Sequence, residues 1–471
     1  MKRLTRRDFL KGSTAGSVAL ARLAQGEGWP VPGSGFSAED GGQEYNIYFG
    51  DLHNHNSVGY ATGSLERSFD IASNHLDFFA FTPHGWWNDI KDFTGDIERK
   101  WLDGFDVTRD RWPDVLEMVR DYHKPGSFVT IPAWEWHSSG RGDYHILFPD
   151  VEKAEYVRFD ELKEFQKFAR KRGAIMVPHH PANRHGHRGT DIESLDPHVS
   201  PVMEIYSEWG NAEHDRAPYP YIRHTEGGRW TRNTFQHYLE QGHRLGVVAS
   251  TDDHLGYPGA YHEGKAAVLA PELSRRAIFD ALWNRRTYGV TGDRILVDFR
   301  LNGQVMGSEM SFARDREMSV AVSGWHQVDR VEVIKNNRVI HRDFPVDRVP
   351  DRSSWDHPVL LRFEYGWGPW PALEMARTCD WDLDIEIEGG RLQDVQPCFQ
   401  AGPYDEERRD RIVDKSANGV RLQSFTELKE QFEDHSQKAV VLKVQANPDT
   451  RVGISLRQPT DVSMTRSFGD L

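Results

Sequence analysis

Tyr45-Asn-Ile-Tyr-Phe-Gly-Asp-Leu-His53-Asn-His55 is an apolar, β-prone run that ends in two histidines spaced by one residue. The part Tyr45–Leu52 predicts a strand, and both histidines follow its end. Because side chains at positions i and i+2 of an extended chain lie on one side, both imidazoles can reach the same metal ion. The segment therefore predicts a strand that leads into a metal site.

The same pattern, a β-prone run followed by polar residues, recurs along the chain to about residue 295. The further predicted strands are Phe78–Thr82, Phe128–Trp134, Tyr144–Phe148, Ala174–Val177, Val202–Tyr206 and Leu245–Ala249. Amphipathic helices are predicted between many of them, at Leu65–Leu76, Pro113–Tyr122, Asp160–Arg172, Thr234–Gln241 and Ser274–Arg286. Repeated strand–helix units favour a parallel sheet, either open or closed into a barrel.

Candidate metal ligands follow these strands in chain order. They are His84, Glu135, His179 with His180, and Asp252 with His254. In a β/α barrel the carboxyl ends of the strands meet at one mouth, so these residues are expected to form one cluster. Glu135 lies in an apolar segment, where an unpaired carboxylate is costly, and a neighbouring cation is the simplest explanation for it.

Six segments together resemble, in order, the motifs of the PHP family, which is named for polymerase and histidinol phosphatase members. They are Gly50–His55, Phe81–His84, Glu135, Asp143–Leu147, Val177–Pro181 and Ser250–His254. The resemblance covers about residues 45–295. It implies a distorted TIM-like β/α barrel with seven strands, and a metal-dependent hydrolase that is most often a phosphoesterase with two or three ions of zinc, manganese or iron.

The resemblance also implies roles for individual residues. The first metal ion is expected to be held by His53, His55, Glu135 and Asp252. The second is expected to be held by Glu135, His145 and His180, with Glu135 as the bridge. His180 is preferred over His179 because it directly precedes Pro181. The residues expected to act in catalysis are Glu135, Asp252, His84 and His254, of which the last two would belong to a third metal.

Two departures from the family pattern concern that third metal. The family usually has Asp before the second-strand histidine, where this chain has Pro83, and residues 56–63 contain no His or acid that would add a ligand. Two tightly bound metals are therefore expected. His84 and His254 then hold a weak third ion or contact the substrate anion directly.

Charged residues near the predicted strand ends are candidates for supporting roles. Arg184 and Arg188 follow Pro181, and they are candidates for binding a phosphate, sulfate or carboxylate group, because a guanidinium fork matches such anions. A solvated loop is the alternative. Glu204 and Glu208 end the sixth predicted strand, and they either orient ligand histidines or pair with arginines.

Two other functions fit parts of the pattern. An amidohydrolase-type barrel that cleaves an amide or ester shares the His-x-His pair, the later histidines and the terminal Asp, but such barrels often use a modified Lys where this chain has Glu135. A non-catalytic exported binding protein would require missing ligands. The leading hypothesis is an exported phosphoesterase that uses a hydroxide bridged between two metal ions.

The N-terminus resembles an export signal. Thr5-Arg-Arg-Asp-Phe-Leu-Lys11 closely matches the twin-arginine motif, and a short apolar stretch with small residues follows it. We therefore expect a signal peptide over 1–25, a flexible leader over 26–44, the twin-arginine export machinery as a partner, and a periplasmic or secreted location. The apolar part is too short for a stable membrane anchor.

Composition limits the substrates and describes the rest of the chain. The 471 residues carry a formal net charge of -14, which disfavours a nucleic-acid ligand but not a small anionic substrate at a metal cluster. The two cysteines, Cys379 and Cys398, are either thiols or one disulfide. After a barrel domain over 45–295, residues 296–471 alternate short β-prone runs with turns and predict an antiparallel β-sandwich-like domain.

Overall fold

The computed structural model describes residues 37–40, 43–90, 96–219, 229–261, 263–324, 328–345, 355–367, 378–398, 410–427 and 437–470. The predicted signal peptide over 1–25 lies outside these residues, as does most of the predicted leader. Within the leader, Ser37–Asp40 forms a strand that pairs antiparallel with Gln43–Asp51. No helix in the described part of the chain combines the length and apolar character that crossing a bilayer requires.

The chain divides into two compact units. The first comprises Met1–Gly324 with Glu332–His341, and the second comprises Trp325–Val331 with Arg342–Leu471. The first unit thus extends beyond the predicted boundary at residue 295. It does so because Leu296–Leu301 pairs with Met318–Ser323, and Val305 packs in an apolar cluster with Ile47 and Leu269.

The first unit is a mixed α/β structure. Its strands are Ser37–Asp40 (β1), Gln43–Asp51 (β2), Phe78–Phe79 (β3), His84–Trp87 (β4), Val129–Thr130 (β5), Ala133–His137 (β6), Tyr144–Leu147 (β7), Ile175–Pro178 (β8), Val202–Ser207 (β9), Gly210–Asn211 (β10), Gly246–Ala249 (β11), Lys265–Ala270 (β12), Thr287–Val290 (β13), Leu296–Leu301 (β14), Gln304–Val305 (β15) and Met318–Ser323 (β16). Its helices are Leu65–His75 (α1), Asp96–Asp121 (α2), Leu162–Arg172 (α3), Phe235–Glu240 (α4) and Arg275–Trp283 (α5), with 3-10 turns at Val151–Lys153, Ile192–Ser194 and Thr231–Asn233.

Some helix ends follow local sequence signals. Helix α1 begins after Ser64, whose side chain accepts a hydrogen bond from the Arg67 N–H, and α3 ends at Gly173 with a φ of +65°. The prediction that a helix opens at Pro113 is wrong, because α2 starts at Asp96 and Pro113 lies inside it. Burial of Phe105 and Trp112 on one face of α2 offsets the local cost of the proline.

The strands form sheets of mixed direction rather than one parallel sheet. Strands β2, β3 and β5 run parallel, as do β4 with β6 and β9 with β11. Strand β7, however, is antiparallel to both β6 and β8, and β12 is antiparallel to β2. The connection 138–143 between β6 and β7 explains the first case, because a parallel crossover needs a dozen or more residues.

One apolar cluster joins strands from different sheets. It includes Leu52, Phe78, Val129, Leu147 and Val177, together with Val202, Val248 and Val268, all fully buried. The strands that precede the candidate ligands therefore surround one shared core. The closed seven-stranded barrel itself stays a prediction.

The second unit consists of antiparallel strands. They are Val359–Gly366 (β19), Thr378–Glu388 (β20), Arg391–Cys398 (β21), Arg411–Ser416 (β22), Gly419–Glu427 (β23), Gln437–Gln445 (β24), Arg451–Gln458 (β25) and Val462–Ser467 (β26). Two further strands, Val331–Lys335 (β17) and Arg338–Asp343 (β18), pair with each other, and most of their residues belong to the first unit. Sheets β19-β24-β21 and β22-β23-β20-β25-β26 both contribute to one apolar cluster, for example through Leu442 and Leu383. Cys379 and Cys398 are free thiols.

Candidate metal centre

The loops after β2 and β11 lie side by side and present four of the predicted residues. The Asp252 N–H donates to the His53 carbonyl at 2.8 Å, and the His55 N–H donates to the Asp253 carbonyl at 3.0 Å. This short backbone ladder places His53 and His55 next to Asp252 and His254. All four side chains are buried, with relative exposures between 0 and 6%.

Sheet register supplies the next residues. His84 on β4 lies opposite Glu135 on β6, and Glu135 lies opposite His145 on β7. Gly85 permits this approach of β4 to β6, since a Cβ at that position would lie 2.3 Å from the Glu135 carbonyl oxygen. The close strand pairing therefore depends on the absence of a side chain beside His84.

The structure brings together the residues assigned to the first metal. His55 Nε2 lies 3.1 Å from His53 Nε2 and 2.9 Å from Asp252 Oδ1. Glu135 lies slightly farther away, with its Oε1 3.8 Å from His53 Nε2 and its Oε2 3.6 Å from His55 Nε2. Inward-facing imidazole nitrogens and carboxylate oxygens at these separations are the arrangement that a shared cation requires.

The geometry around the second predicted metal differs from the assignment made from the motifs. His179 Nε2 faces Glu135, at 2.6 Å from its Oε1. His180 Nε2 instead lies 3.3 Å from Asp143 Oδ2. His145 belongs to none of the candidate ligand groups among the described residues, and its ring is tilted by 42° relative to the His53 ring, with 4.7 Å between the ring centroids.

Two side chains that were not predicted as ligands, Asp143 and His137, complete this part of the cluster together with His179. Asp143, His137 and His179 occur in candidate groups with Glu135 or His180. His137 links two carboxylates, with its Nε2 3.3 Å from Glu135 Oε2 and its Nδ1 3.2 Å from Asp143 Oδ2. The spacing of Asp143 and His145, two residues apart at the start of β7, is the same signal that identified the His-x-His pair, and it would have indicated Asp143.

The residues associated with a third metal also lie together. His84 Nε2 is 3.2 Å from His254 Nε2, and both form a candidate group with His55. Tyr60 stacks on His84 with 3.5 Å between ring centroids. This group contains imidazoles and no carboxylate, so it offers a cation less charge compensation than the other groups do.

Two glutamates contact the Nδ1 atoms of candidate ligand histidines. Glu204 Oε2 lies 3.2 Å from His53 Nδ1, and Glu208 Oε1 lies 3.1 Å from His254 Nδ1. An ionised carboxylate only accepts hydrogen bonds, so in the neutral ring, which is the form that binds a metal ion, each Nδ1 would carry the hydrogen and each Nε2 would present its lone pair to the cluster. These distances favour the prediction that Glu204 and Glu208 orient histidines over the alternative that they pair with arginines.

Replacing Glu204 by glutamine is expected to weaken metal binding by about 10- to 100-fold, because the His53 ring loses the charge that fixes its orientation. Equilibrium competition against a chelator of known affinity measures this change. Glu193→Gln, at an exposed position, serves as the control. An unchanged affinity in Glu204→Gln would contradict the orienting role.

Ionisation in the cluster is dominated by burial. Burial lowers the pKa of His55 and His84 well below the usual histidine value, and neighbouring histidines lower it further. Burial also raises the pKa of the Asp252 carboxyl well above its usual value. For His53, the Asp252 and Glu204 carboxylates outweigh burial and raise the pKa. Neutral imidazole is the form that binds metal ions.

The polar atoms of the cluster fit divalent cations. Several of them are buried and make no hydrogen bond of normal geometry in the described part of the chain, although some lie close to one another: Glu135 Oε2, Asp252 Oδ2, His137 Nε2, and both ring nitrogens of His145 and His179. A buried polar atom left unpaired costs about 1–3 kcal/mol, so this many require an explanation. Imidazole and carboxylate donors without thiolates suit zinc, manganese and iron.

The two candidate anion-binding arginines lie in different surroundings. Arg188 Nε donates to Asp143 Oδ2 at 2.7 Å, and its guanidinium lies over the Trp87 ring at 5.0 Å from the ring centroid. Arg184 is exposed in the same loop. The structure therefore brings Arg188, and not Arg184, to the cluster.

Comparisons with known sequences give distant and uncharacterised relatives. No family model matches the chain. An uncharacterized protein from Chlamydia pneumoniae is 27% identical over 263 residues, which cover 51% of this chain and 42% of that protein. Another from Chlamydia muridarum is 26% identical over 262 residues, with the same coverage of 51% and 42%. The chain spans about two fifths of the length of the curated relatives it matches.

Comparisons with solved structures give three proteins of low overall similarity. A two-domain protein from Bacteroides vulgatus, described as containing a predicted PHP-like metal-dependent phosphoesterase, has a TM-score of 0.33 and 12% identity, and the match covers 94% of this chain and 100% of that one. PsfC from Pseudomonas syringae has a TM-score of 0.33 and 15% identity, over 52% of this chain and 91% of that one. The lesion-specific endonuclease PfuEndoQ from Pyrococcus furiosus has a TM-score of 0.32 and 11% identity, over 50% and 56%. Because these TM-scores are low, the function proposed below rests on the geometry of the cluster and not on overall structural similarity.

Proposed function

We propose that this chain is a metal-dependent hydrolase of phosphate esters, with Glu135 bridging two divalent cations. The observation that carries the proposal is the convergence of buried imidazole Nε2 atoms on the Glu135 carboxylate, with His53, His55, His137 and His179 all within 3.8 Å of one of its oxygens. As part of the same proposal, the first unit is a PHP-type barrel of seven strands and the second is a β-sandwich.

The metal ions and the protein would divide the chemistry between them. When bound, divalent cations held by the histidines and carboxylates of the cluster would lower the pKa of a coordinated water toward about 7 and would neutralise charge on a phosphoryl group. The chain itself binds and orients: Asp252 and Glu135 supply negative charge, and Glu204 and Glu208 fix the histidine rings. Aromatic side chains beside His84, with Tyr60 in ring contact with Trp101 and Phe105, limit the access of bulk water.

The amidohydrolase alternative receives less support than the phosphoesterase proposal. It favours a modified lysine as the bridge, and the buried lysine of this region is Lys265. Its ammonium donates to the carbonyl oxygens of Gly259 and Ala260, both at 3.3 Å. Lys265 is therefore engaged by backbone, whereas four histidines surround the Glu135 carboxylate, which supports Glu135 as the proposed bridge.

The substrate class is proposed as a small anion. The net charge of -14 repels polymeric nucleic acid at long range, whereas a buried cluster loaded with cations attracts a single phosphoryl group. The match to a lesion-specific endonuclease makes a duplex DNA with a lesion a necessary member of any substrate panel.

The testing experiment compares esters that share one leaving group. The protein is loaded with Zn, Mn or Fe and offered para-nitrophenyl phosphate, bis(para-nitrophenyl) phosphate, para-nitrophenyl sulfate and para-nitrophenyl acetate, with lesion-containing DNA measured separately. Turnover of a phosphate ester well above that of the sulfate and the acetate supports the proposal. Turnover of the acetate alone would move the assignment to the amidohydrolase class. Metal binding without any turnover would contradict hydrolysis of simple phosphate esters.

We further propose export through the twin-arginine machinery, on the match at residues 5–11. Replacing both Arg6 and Arg7 by lysine is expected to retain the protein in the cytoplasm, because that pathway reads the arginine pair. Cell fractionation with detection of the mature N-terminus measures this. Arg22→Lys, in the same segment but outside the pair, serves as the matched control and should be exported. Normal export of the double variant would contradict the proposed route.

A further inference from the structure

Arg188 is a cation fixed at the edge of a cluster of histidines and carboxylates. Its Nε and Nη2 atoms lie 2.7 and 2.5 Å from Asp143 Oδ2, and Asp143 belongs to two of the candidate ligand groups. Its guanidinium plane also meets the face of Trp87, at 5.0 Å from the ring centroid. The ion pair with Asp143 at the edge of the guanidinium and the Trp87 ring at its face leave the group little freedom to turn.

The backbone of Arg188 is also restrained, by its conformation and by a hydrogen bond. Its φ is +66°, in the left-handed region that residues with a side chain seldom adopt. Its N–H donates to the Ser139 carbonyl at 2.9 Å, which ties the loop to the connection between β6 and β7. Such conformations persist only where surrounding contacts enforce them, and they concentrate at ligand-binding sites.

The guanidinium retains hydrogen-bonding capacity after these contacts. A guanidinium has five N–H donors, and Asp143 engages one on Nε and one on Nη2. No described residue accepts a hydrogen bond from Nη1, and the side chain is 19% exposed. Donors in a rigid planar fork therefore remain for an anion that reaches the cluster.

We infer that Arg188 binds a terminal phosphoryl oxygen of the substrate and thereby selects phosphate monoesters over diesters. This inference rests on the proposed phosphoesterase function. A phosphate monoester carries a third unesterified, charged oxygen, whereas a diester has an organic group in its place. A fixed guanidinium beside the metal centre pairs with that oxygen in the monoester, and it meets no corresponding charge in the diester.

A purely structural role for Arg188 makes a different prediction. If the arginine only neutralises Asp143, its removal disturbs the cluster and slows all substrates by the same factor. If it binds the substrate, the loss falls on monoesters. The ratio of the two losses therefore separates the alternatives.

The experiment compares Arg188→Ala with the unaltered protein at matched metal content. The value of kcat/KM for para-nitrophenyl phosphate should fall by on the order of 10- to 100-fold, and that for bis(para-nitrophenyl) phosphate by less than about 3-fold. Binding of inorganic phosphate to the metal-loaded protein, measured by calorimetry, should weaken by a similar factor to the monoester loss. Arg141→Ala is the matched control, because Arg141 forms a comparable pair with Asp191 and contacts no member of the cluster.

Three outcomes would overturn the inference. Equal losses for monoester and diester, or unchanged phosphate binding, would leave Arg188 without a role in selecting substrate while leaving the phosphoesterase proposal intact. Absence of phosphate-ester turnover in the unaltered protein would instead overturn the proposed function, and the inference with it. If Arg188→Ala does not fold, Arg188→Lys retains the charge but not the fork, and it should show a smaller loss that is again confined to the monoester.

Discussion

Glu135→Gln is expected to release both metal ions and to reduce turnover by at least about 10³-fold, the scale seen when a central catalytic group is removed. The Glu135 oxygens face different parts of the cluster, with Oε1 2.6 Å from His179 Nε2 and Oε2 3.3 Å from His137 Nε2. Glutamine has the same shape but only one oxygen and no charge. Neither cation would then keep its shared negative ligand.

Metal content per chain after dialysis, measured by elemental analysis, tests this expectation alongside the rate. Glu263→Gln is the matched control, since Glu263 is equally buried and belongs to none of the candidate groups in the described part of the chain. Glu263→Gln should retain metal. Two metals per chain in Glu135→Gln would rule out the bridging role of this carboxylate.

Asp143→Asn is expected to remove one metal ion and to lower kcat/KM by on the order of 10²-fold. Asp143 Oδ2 faces His137 Nδ1 at 3.2 Å and His180 Nε2 at 3.3 Å, and it also binds Arg188. The amide would leave Arg188 without its charged partner and would no longer compensate a cation. Because both effects act on groups proposed to contact the metal or the substrate, the loss in kcat/KM should exceed the loss caused by a variant that changes only the connection between β6 and β7.

Asp89→Asn provides the comparison for this variant. Asp89 holds the same loop, accepting hydrogen bonds from Ser138 Oγ, the Ser139 N–H and the Gly140 N–H at 2.8 to 2.9 Å, and it contacts no member of the cluster. The two variants are compared by metal content and by kcat/KM. Equal losses in both would mean that Asp143 acts only by holding the loop.

The sequence predicts those parts of the site that depend on local geometry. His53 with His55, and Asp252 with His254, are i, i+2 pairs that follow strand ends, and the spacing in an extended chain explains the first pair. The second pair also lies together, with His254 Nδ1 4.0 Å from Asp252 Oδ1, but Asp252 has a φ of +53°, so extended backbone does not account for it. The strand β2 that precedes the first pair was predicted close to its observed bounds. Motif order then related the two pairs to Glu135, which lies within 4 Å of His53 and His55.

The parts that the sequence did not predict depend on contacts between distant segments. The direction of β7 follows from a short connection and its pairing with both neighbours, and this direction determines that Asp143 enters the cluster at the start of the strand. The choice between His179 and His180 depends on backbone conformation, since His180 has a φ of +30°. Neither the direction of β7 nor the backbone conformation of His180 follows from the intrinsic preferences of the residues involved.

The near-complete burial of the cluster has a consequence for how the ions are acquired. Candidate ligands with 0 to 3% exposure, such as His53, Glu135 and His180, come from segments that are spread over more than a hundred residues of the sequence, so a bound ion could leave only when parts of the fold open. Exchange would then be slower than the conformational opening that permits it. The bound metal would then be selected while the chain folds, and its identity would depend on the ions present in the compartment where folding takes place.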